Sequence, residues 1–155
     1  MKVLVPHVEH PRELQHLLEE EGINARYVST HEPEGYWRCL AEAWEEGTSF
    51  IVLEGDKYPA PGALLELWEC PGWWCTYPVP MRESEEPAPY PSLACTKFAW
   101  QLMTAAPLLM QHAGELDVGL GEREWSRLDL VVQGLLHNIT EPHYHEAGRV
   151  EHRHR

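Results

Sequence analysis

The sequence predicts an α/β fold, a single three-layer α/β/α sandwich around a mostly parallel sheet. Short apolar runs alternate with amphipathic runs through the first half of the chain, and the third apolar run, 49–53, has an unbroken apolar stretch. Two strand–helix units before a third strand are typical of parallel sheets that helices cover on both faces. A length of 155 residues suits one core, so we expect 1–155 to fold as one domain.

The first half of the chain shows the clearest periodicity. Continuous apolar runs predict strands, and apolar residues at helical spacing, followed by Gly22 and by Gly47, predict two helices. The predicted order is a strand at 2–5, a helix at 11–21, a strand at 25–29, a helix at 34–46 and a strand at 49–53.

The second half alternates less regularly. The predicted order is a short helix from Pro61-Gly62 to about Cys70, a strand at 73–79, a strand at 92–98, a helix at 100–111 that Pro107 interrupts, and a helix at 125–137. Residues 80–91 are rich in Pro and Glu, which predicts a mobile loop. Such a loop serves either as a lid over a site or as a solvated connector, and both interpretations stay open.

Composition excludes several classes of protein. The net charge of −13 argues against nonspecific binding of nucleic acid, although three arginines in the last seven residues allow an anionic small ligand there. No run approaches the roughly 18 apolar residues of a membrane helix, and the N-terminus does not resemble a signal peptide, so we expect a soluble, cytoplasmic protein. The four cysteines form no CxxC pair, which predicts small buried residues rather than a disulfide framework or a zinc ribbon.

Two carboxylates one residue apart end the third strand. Glu54 and Asp56 flank Gly55, whose small size permits a tight turn. Ligands of open α/β sheets bind at the carboxyl ends of the strands, and two carboxylates there suit a hard divalent cation that holds a nucleotide's phosphates. Pro6 and His7 follow the first strand and Thr30 follows the second. At this edge of the sheet they would lie near the base and ribose of a bound nucleotide. A plain turn at 54–56 and a surface role for His7 are the alternatives.

The tail, 142–155, contains two His-x-His pairs. In an extended chain alternate side chains share a face, so His143 lies with His145 and His152 with His154, and a hairpin at Gly148 would bring the pairs together. Imidazole beside the carboxylates of Glu54 and Asp56 favours manganese, whereas the carboxylates alone suit magnesium or manganese. The alternative is a solvated tail that chelates metal incidentally.

This order of elements resembles a small glycosyltransferase of the GT-A fold. In that family a strand after two βα units ends in an acidic signature that binds a divalent metal on the diphosphate of a nucleotide sugar, and Glu54-Gly55-Asp56 stands in that place. A later acidic motif supplies the catalytic base of inverting members, and the matching stretch Trp125-Ser126-Arg127-Leu128-Asp129 implies Asp129. A histidine near the C-terminus completes the metal shell.

The resemblance implies Mn2+ or Mg2+ as cofactor, a nucleoside diphosphate sugar as donor and an acceptor that the sequence does not name. Asp56 would be the main metal ligand, and Glu54 would bind metal through water or contact the ribose. The family pattern is not complete, because Glu54 replaces an Asp and Leu128 stands where an acid is expected. A noncatalytic nucleotide-binding or metal-binding module, and a metal-dependent phosphohydrolase or nucleotidyltransferase, are therefore the alternatives. A homodimer that completes so small a site also stays open.

Overall fold

The computed structural model describes residues 1–32, 34–78, 93–119 and 125–153. The loop predicted at 80–91 and His154 lie outside these residues. In chain order the elements are β1 Val3–His7, α1 Arg12–Glu20, β2 Ala25–Ser29, α2 Gly35–Glu45, β3 Phe50–Leu53, β4 Lys57–Pro59, α3 Ala63–Glu69, β5 Trp74–Thr76, β6 Cys95–Phe98, α4 Trp100–Ala105, α5 Leu109–Gly119, α6 Trp125–His137, β7 His143–Tyr144 and β8 Val150–His152.

The central sheet has six strands in the order β2-β1-β3-β6-β5-β7. Strand β1 pairs in parallel with β2 and β3, and β5 pairs in parallel with β7. Strand β6 runs antiparallel to both of its neighbours, β3 and β5. The strands other than β6 therefore share one direction, which confirms the predicted mostly parallel sheet and brings their carboxyl ends to one edge.

Helices cover both faces of this sheet. Alternate residues of β3 point to opposite sides, so Phe50 and Val52 join one core cluster while Ile51 and Leu53 join the other. Helices α2, α4, α5 and α6 pack on the first face, and α1 and α3 pack on the second. The three-layer α/β/α arrangement is confirmed, and it follows from strands that are apolar on both sides.

Several predicted elements change in detail. Pro107 separates α4 from α5, because proline cannot donate the hydrogen bond that a continuous helix needs. The strand predicted at 73–79 covers only Trp74–Thr76. Strand β4 was not predicted, since three residues carry too little pattern. Among the described residues, no helix combines the length and hydrophobicity that a membrane crossing requires.

The cysteines and the tail depart further from prediction. Cys70 and Cys75 form a disulfide, whereas Cys39 and Cys95 are free and buried as expected. The tail forms strands, but β7 pairs with β5 and β8 pairs with β4. The predicted hairpin between the two histidine pairs is therefore wrong. Each half of the tail joins a different sheet: β7 pairs along the edge of β5, and β8 pairs along the edge of β4.

Candidate functional site

A pocket of about 450 Å³ opens where β1 and β3 end. Both strands run in the same direction, so the residues that follow them meet at one edge. The pocket is lined by Pro6, His7, Glu54, Gly55, Asp56 and Arg153, together with neighbouring side chains. Four of the predicted site residues, Pro6, His7, Glu54 and Asp56, therefore share one pocket.

Gly55 allows the acidic turn, Glu54-Gly55-Asp56, to approach the end of β1 closely. Its backbone N–H donates to the carbonyl of Pro6 at 3.0 Å. A Cβ atom at this position would lie 2.9 Å from Cβ of His7, which is closer than side chains tolerate. The turn thus needs glycine for a close approach between two segments, and that approach sets where the two carboxylates lie.

The carboxylate of Asp56 lies between two basic side chains. Lys57 Nζ donates to Oδ1 at 2.7 Å, and Nε2 of His152 lies 2.8 Å from Oδ2. The antiparallel pairing of β4 with β8 places Lys57 directly opposite His152, so both side chains extend on the same side of this small sheet. The backbone of Arg153 also donates to the carbonyl of Asp56, at 2.9 Å.

Glu54 points toward the protein interior. The hydroxyl of Tyr36 donates to its Oε1 at 3.2 Å, and Lys57 Nζ lies 3.7 Å from its Oε2. Burial raises the pKa of Glu54 because a charged carboxylate loses its hydration, while the ammonium of Lys57 opposes that rise. Lys57 therefore contacts both acids of the turn, and only about 6% of its surface is exposed.

Helix α6 brings Asp129 close to Glu54. Its Oδ2 accepts a hydrogen bond from the backbone of Leu93 at 3.3 Å, and its Oδ1 is buried without a hydrogen-bond partner among the described residues. Burial, and next the charge of Glu54, raise the pKa of Asp129 to about 8. No local pattern in the sequence indicates that Asp129 lies near the end of β3; it does so because Asp129 bonds to Leu93 and Glu54 bonds to the adjacent Ala94.

Thr30 and His7 join the ends of β2 and β1. Thr30 is buried, and its hydroxyl donates to the carbonyl of His7 at 3.0 Å, so this side chain holds the two strands together rather than facing the pocket. The ring of His7 lies 5.2 Å from that of His10. Burial, followed by the neighbouring His10 and His31, lowers the pKa of His7, which favours a neutral imidazole at the pocket wall.

The tail histidines do not gather in one place. His152 contacts Asp56, whereas His143 and His145 lie on and after β7, beside Cys70 and Tyr77 at the edge of the main sheet. The predicted set of metal ligands is thus divided between two regions of the molecule. Asp56 and His152, with Glu54 nearby, form one group of side chains, and His143 and His145 belong to another.

The residues at the pocket fit a divalent cation. Oδ2 of Asp56 and Nε2 of His152 are joined by a hydrogen bond of 2.8 Å, and both atoms could bind one ion once the shared proton is lost. A mixed carboxylate and imidazole set suits manganese. The ammonium of Lys57 already compensates part of the negative charge of Glu54 and Asp56. An ion here would be held by few protein atoms, which leaves other positions for phosphate oxygens and water.

Two site residues, Lys57 and Tyr36, were not predicted, and Arg153 was expected only as one of three C-terminal arginines that an anionic ligand could meet. Lys57 follows directly after the acidic pair in a chain with few basic residues, and that position was the available signal. Tyr36 reaches Glu54 from α2, which no local pattern indicates. The guanidinium of Arg153 lies 4.5 Å from the centre of the Tyr58 ring at the pocket, in the basic C-terminal stretch where an anionic ligand was expected.

Comparison with known proteins adds evidence on the fold. No protein-family model matches the sequence, and neither does any curated protein sequence. The structure is similar to the crystal structure of a glycosyltransferase involved in the glycosylation of the major capsid of PBCV-1, with 16% identity, a TM-score of 0.55, and coverage of 94% of this chain and 80% of that one.

A second solved structure, assigned as a glucose-1-phosphate thymidylyltransferase from Bacillus anthracis in complex with a sucrose, matches at 11% identity with a TM-score of 0.47. This match covers 93% of this chain and 66% of that one. At 16% identity the first match establishes architecture alone. The chain has the α/β fold of that viral glycosyltransferase.

Proposed function

We propose that this protein is a glycosyltransferase that takes its sugar from a nucleoside diphosphate sugar with the help of Mn2+ or Mg2+. The observation that carries the proposal is that Asp129 and Glu54 bond to the adjacent residues Leu93 and Ala94, behind the strand end where Asp56 faces a pocket. An inverting transfer requires an acid that accepts a proton and acids that bind a cation. Asp129 is the proposed proton acceptor, and Asp56 and Glu54 are the proposed cation-binding acids.

The pocket suits the donor. Its volume of about 450 Å³ lies within the range of roughly 300–1,000 Å³ that is usual for small-molecule sites. Pro6 and the neutral ring of His7 provide a wall for the base and ribose. The guanidinium of Arg153, which lies over Tyr58 and pairs with Glu151, is the basic group at the pocket that would meet a diphosphate.

Asp56 and His152 would hold the divalent cation, with Glu54 contributing through water or contacting the ribose. A cation bound there supplies Lewis-acid stabilisation of the negative charge that develops on the departing diphosphate. Two features of the chain favour cation binding at this position. Strand β8 holds His152 against Asp56, and the ammonium of Lys57 reduces the repulsion between the carboxylates of Asp56 and Glu54.

Asp129 would act as general base toward the acceptor hydroxyl. A base must be ionised to accept a proton, and a pKa of about 8 makes the ionised fraction rise through the mildly alkaline range. The Oδ1 atom is buried and has no hydrogen-bond partner in the described parts of the chain, so it would take that proton when an acceptor reaches it. The backbone of Leu93 orients the carboxylate through Oδ2.

Calorimetric titration tests the donor site. UDP, GDP and their sugar conjugates are titrated with and without Mn2+ into the wild type, Asp56→Ala and a control, Glu20→Ala, which removes an exposed acid of α1. We expect manganese-dependent binding in the wild type and the control, and its loss in Asp56→Ala. Absence of binding in all three proteins would contradict the proposal.

A noncatalytic nucleotide-binding module is the second candidate. Asp129 is mostly protonated at neutral pH because its pKa is about 8, and a protonated carboxyl accepts no proton. Sugar transfer that requires Asp129 supports the enzyme, and binding without turnover supports the module. Release of nucleotide or phosphate without an acceptor would instead indicate a metal-dependent phosphohydrolase or nucleotidyltransferase.

A further inference from the structure

A second cluster of metal-binding side chains lies at the edge of the main sheet, away from the acidic turn. It consists of Cys70, Cys75, His143 and His145. The parallel pairing of β5 with β7 places Cys75 opposite His143, and Cys70 enters from the end of α3. The topology thus collects four potential ligands from two segments that are far apart in sequence.

Three of the four potential ligand atoms are close enough to share one ion. Sγ of Cys70 lies 3.5 Å from Nδ1 of His143. One donor atom from each of Cys70, His143 and His145 lies within 4.8 Å of the others. Sγ of Cys75 adjoins that of Cys70, because the two sulfurs form a disulfide. Three of the four side chains therefore already surround one small volume, and Cys75 lies next to it through its bond to Cys70.

His145 has the orientation of a metal-binding histidine. Its Nδ1 lies 3.4 Å from Oε1 of Glu66, while its Nε2 is buried without a hydrogen-bond partner among the described residues. The ring packs on that of Tyr77, with centroids 4.9 Å apart, and only 9% of the side chain is exposed. Metal-ligating histidines commonly donate one ring nitrogen to a carboxylate and present the other to the ion.

The surrounding backbone wraps closely around the sulfurs. A Cβ atom on Gly72 would lie 2.8 Å from Sγ of Cys75 and 3.3 Å from Cβ of His143, so glycine is required for this approach. The buried ammonium of Lys97 donates to the carbonyl of Cys70, which holds the loop from the other side. His143 is exposed, which leaves a route for an ion from solvent.

We propose that the reduced protein binds one Zn2+ through Cys70, Cys75, His143 and His145. Two thiolates and two imidazoles are a common tetrahedral zinc set, and thiolate ligands favour zinc over magnesium or manganese. The site is independent of the proposed glycosyltransferase activity. Bound zinc would fix β7 to the loop after α3 and so anchor the segment that leads to His152.

The disulfide and the zinc site are alternative states of the same two sulfurs. Reduction by a phosphine breaks the sulfur–sulfur bond: the phosphine loses two electrons and gains the oxygen of one water molecule, and the two sulfurs become thiols. Zinc then displaces one proton from each thiol, and the neutral imidazoles bind without losing a proton. An intact disulfide offers no thiolate, so the oxidised protein is expected to lack this site.

Cobalt substitution tests the proposal. The protein is reduced with tris(2-carboxyethyl)phosphine, Co2+ is added, and absorbance reports thiolate-to-cobalt charge transfer, which carboxylate and histidine sites do not produce. We expect one Co2+ per chain, displaced by one Zn2+, and no charge-transfer band without reduction. The same titration of Asp56→Ala is expected to leave the band unchanged, since the acidic turn is a separate region.

Variants identify the ligands. Cys70→Ser and His145→Ala are expected to weaken Zn2+ binding at least 100-fold, and Glu66→Gln about 10- to 100-fold, as for other partners of ligating histidines. Cys39→Ser, at a free cysteine, and His16→Ala, at an exposed histidine, are the matched controls. His143→Gln, on an exposed part of β7, tests a ligand with little risk to folding, and far-UV circular dichroism verifies each fold.

Two results would overturn the inference. The first is a folded, reduced wild-type protein without a charge-transfer band. The second is a band of unchanged intensity in both Cys70→Ser and His143→Gln.

Discussion

Nε2 of His152 lies 2.8 Å from Oδ2 of Asp56, although the two residues are 96 positions apart in sequence. This contact joins the last described strand to the acidic turn after β3. The imidazole is almost fully buried, while about 43% of the Asp56 side chain is exposed to the pocket. The contact therefore serves both the packing of the C-terminal segment and the geometry of the proposed cation site.

Replacing His152 tests both roles. We expect His152→Ala to lower the free energy of unfolding by about 1–3 kcal/mol, because a buried ring and a hydrogen bond are lost. Manganese-dependent nucleotide binding is expected to weaken as well. Urea denaturation and calorimetry measure the two effects, with His16→Ala as control because that histidine is exposed on α1. Unchanged stability together with unchanged binding would contradict this role for His152.

Gly55 is predicted to tolerate no side chain. Gly55→Ala places a Cβ atom 2.9 Å from Cβ of His7, so we expect a loss of about 1–3 kcal/mol in the free energy of unfolding and weaker donor binding. Gly134→Ala is the matched control, because that helical position has open space and alanine favours helices by roughly 0.5–1 kcal/mol. Thermal denaturation is the measurement, and equal melting temperatures for the two variants would argue against the close approach.

The stability of the protein is predicted to depend on the ionisation of Asp129. The carboxyl has a reference pKa of 3.8 and a folded pKa of about 8, so between these values the folded chain binds the proton more tightly than the unfolded chain does. Stability contributed by this group therefore falls as pH rises from about 4 to about 8.

Asparagine at position 129 removes that dependence. Because one pKa unit corresponds to about 1.4 kcal/mol, we expect Asp129→Asn to be more stable than wild type at pH 8.5 by a few kcal/mol, and similar to wild type near pH 4. Denaturant titrations at the two pH values measure the difference. A difference that does not change with pH would show that this carboxyl is not perturbed by burial.

If Asp129 is the general base, its ionisation increases the rate of sugar transfer, whereas the same ionisation decreases the stability of the protein. The rate of sugar transfer is expected to rise with pH and to level off above about pH 8, as the carboxylate becomes ionised. Asp129→Asn is expected to lower the rate about 10²- to 10⁴-fold without abolishing donor binding. A flat profile between pH 6.5 and 9 in an active enzyme would exclude Asp129 as the base.

The ammonium of Lys57 is predicted to compensate the negative charge of Glu54 and Asp56. Lys57→Met removes the ammonium that contacts Glu54 and Asp56, and we expect a loss of about 1–3 kcal/mol in stability, moderated because Asp56 is partly exposed. Added Mn2+ is expected to raise the melting temperature of Lys57→Met more than that of wild type. Scanning calorimetry with and without the ion checks this, and an equal or smaller shift would contradict a compensating role.

Local pattern predicted the elements that carry the acidic turn. Residues 49–53 are apolar enough for a buried strand, and the end of β3 follows directly from that run, so Glu54 and Asp56 were found at the correct edge. Helix α6 was predicted with its observed bounds because its apolar face repeats at helical spacing. Its orientation, which brings Asp129 toward Glu54, depends on packing between distant segments and has no local signature.

The contacts of the tail were less predictable for the same reason. The spacing of His143 and His145 predicts a shared face. Their contact with Cys70, at the end of α3, depends on the pairing of β5 with β7, which no local pattern indicates. The five-residue separation of Cys70 and Cys75 matches no common motif, so no pattern in the sequence predicted a disulfide between them. Thr30 follows a strand as ligand-binding residues do, yet its hydroxyl is used by the backbone of His7.

The pairing of β4 with β8 also has a consequence for limited proteolysis. These two strands form a sheet of their own, so a cut between β7 and β8 would leave every strand of the six-stranded sheet on one fragment. His152 and Arg153 would then be held at Asp56 only by noncovalent contacts with β4 and the acidic turn. Such a nick would separate the assembly of the scaffold from the completion of the pocket.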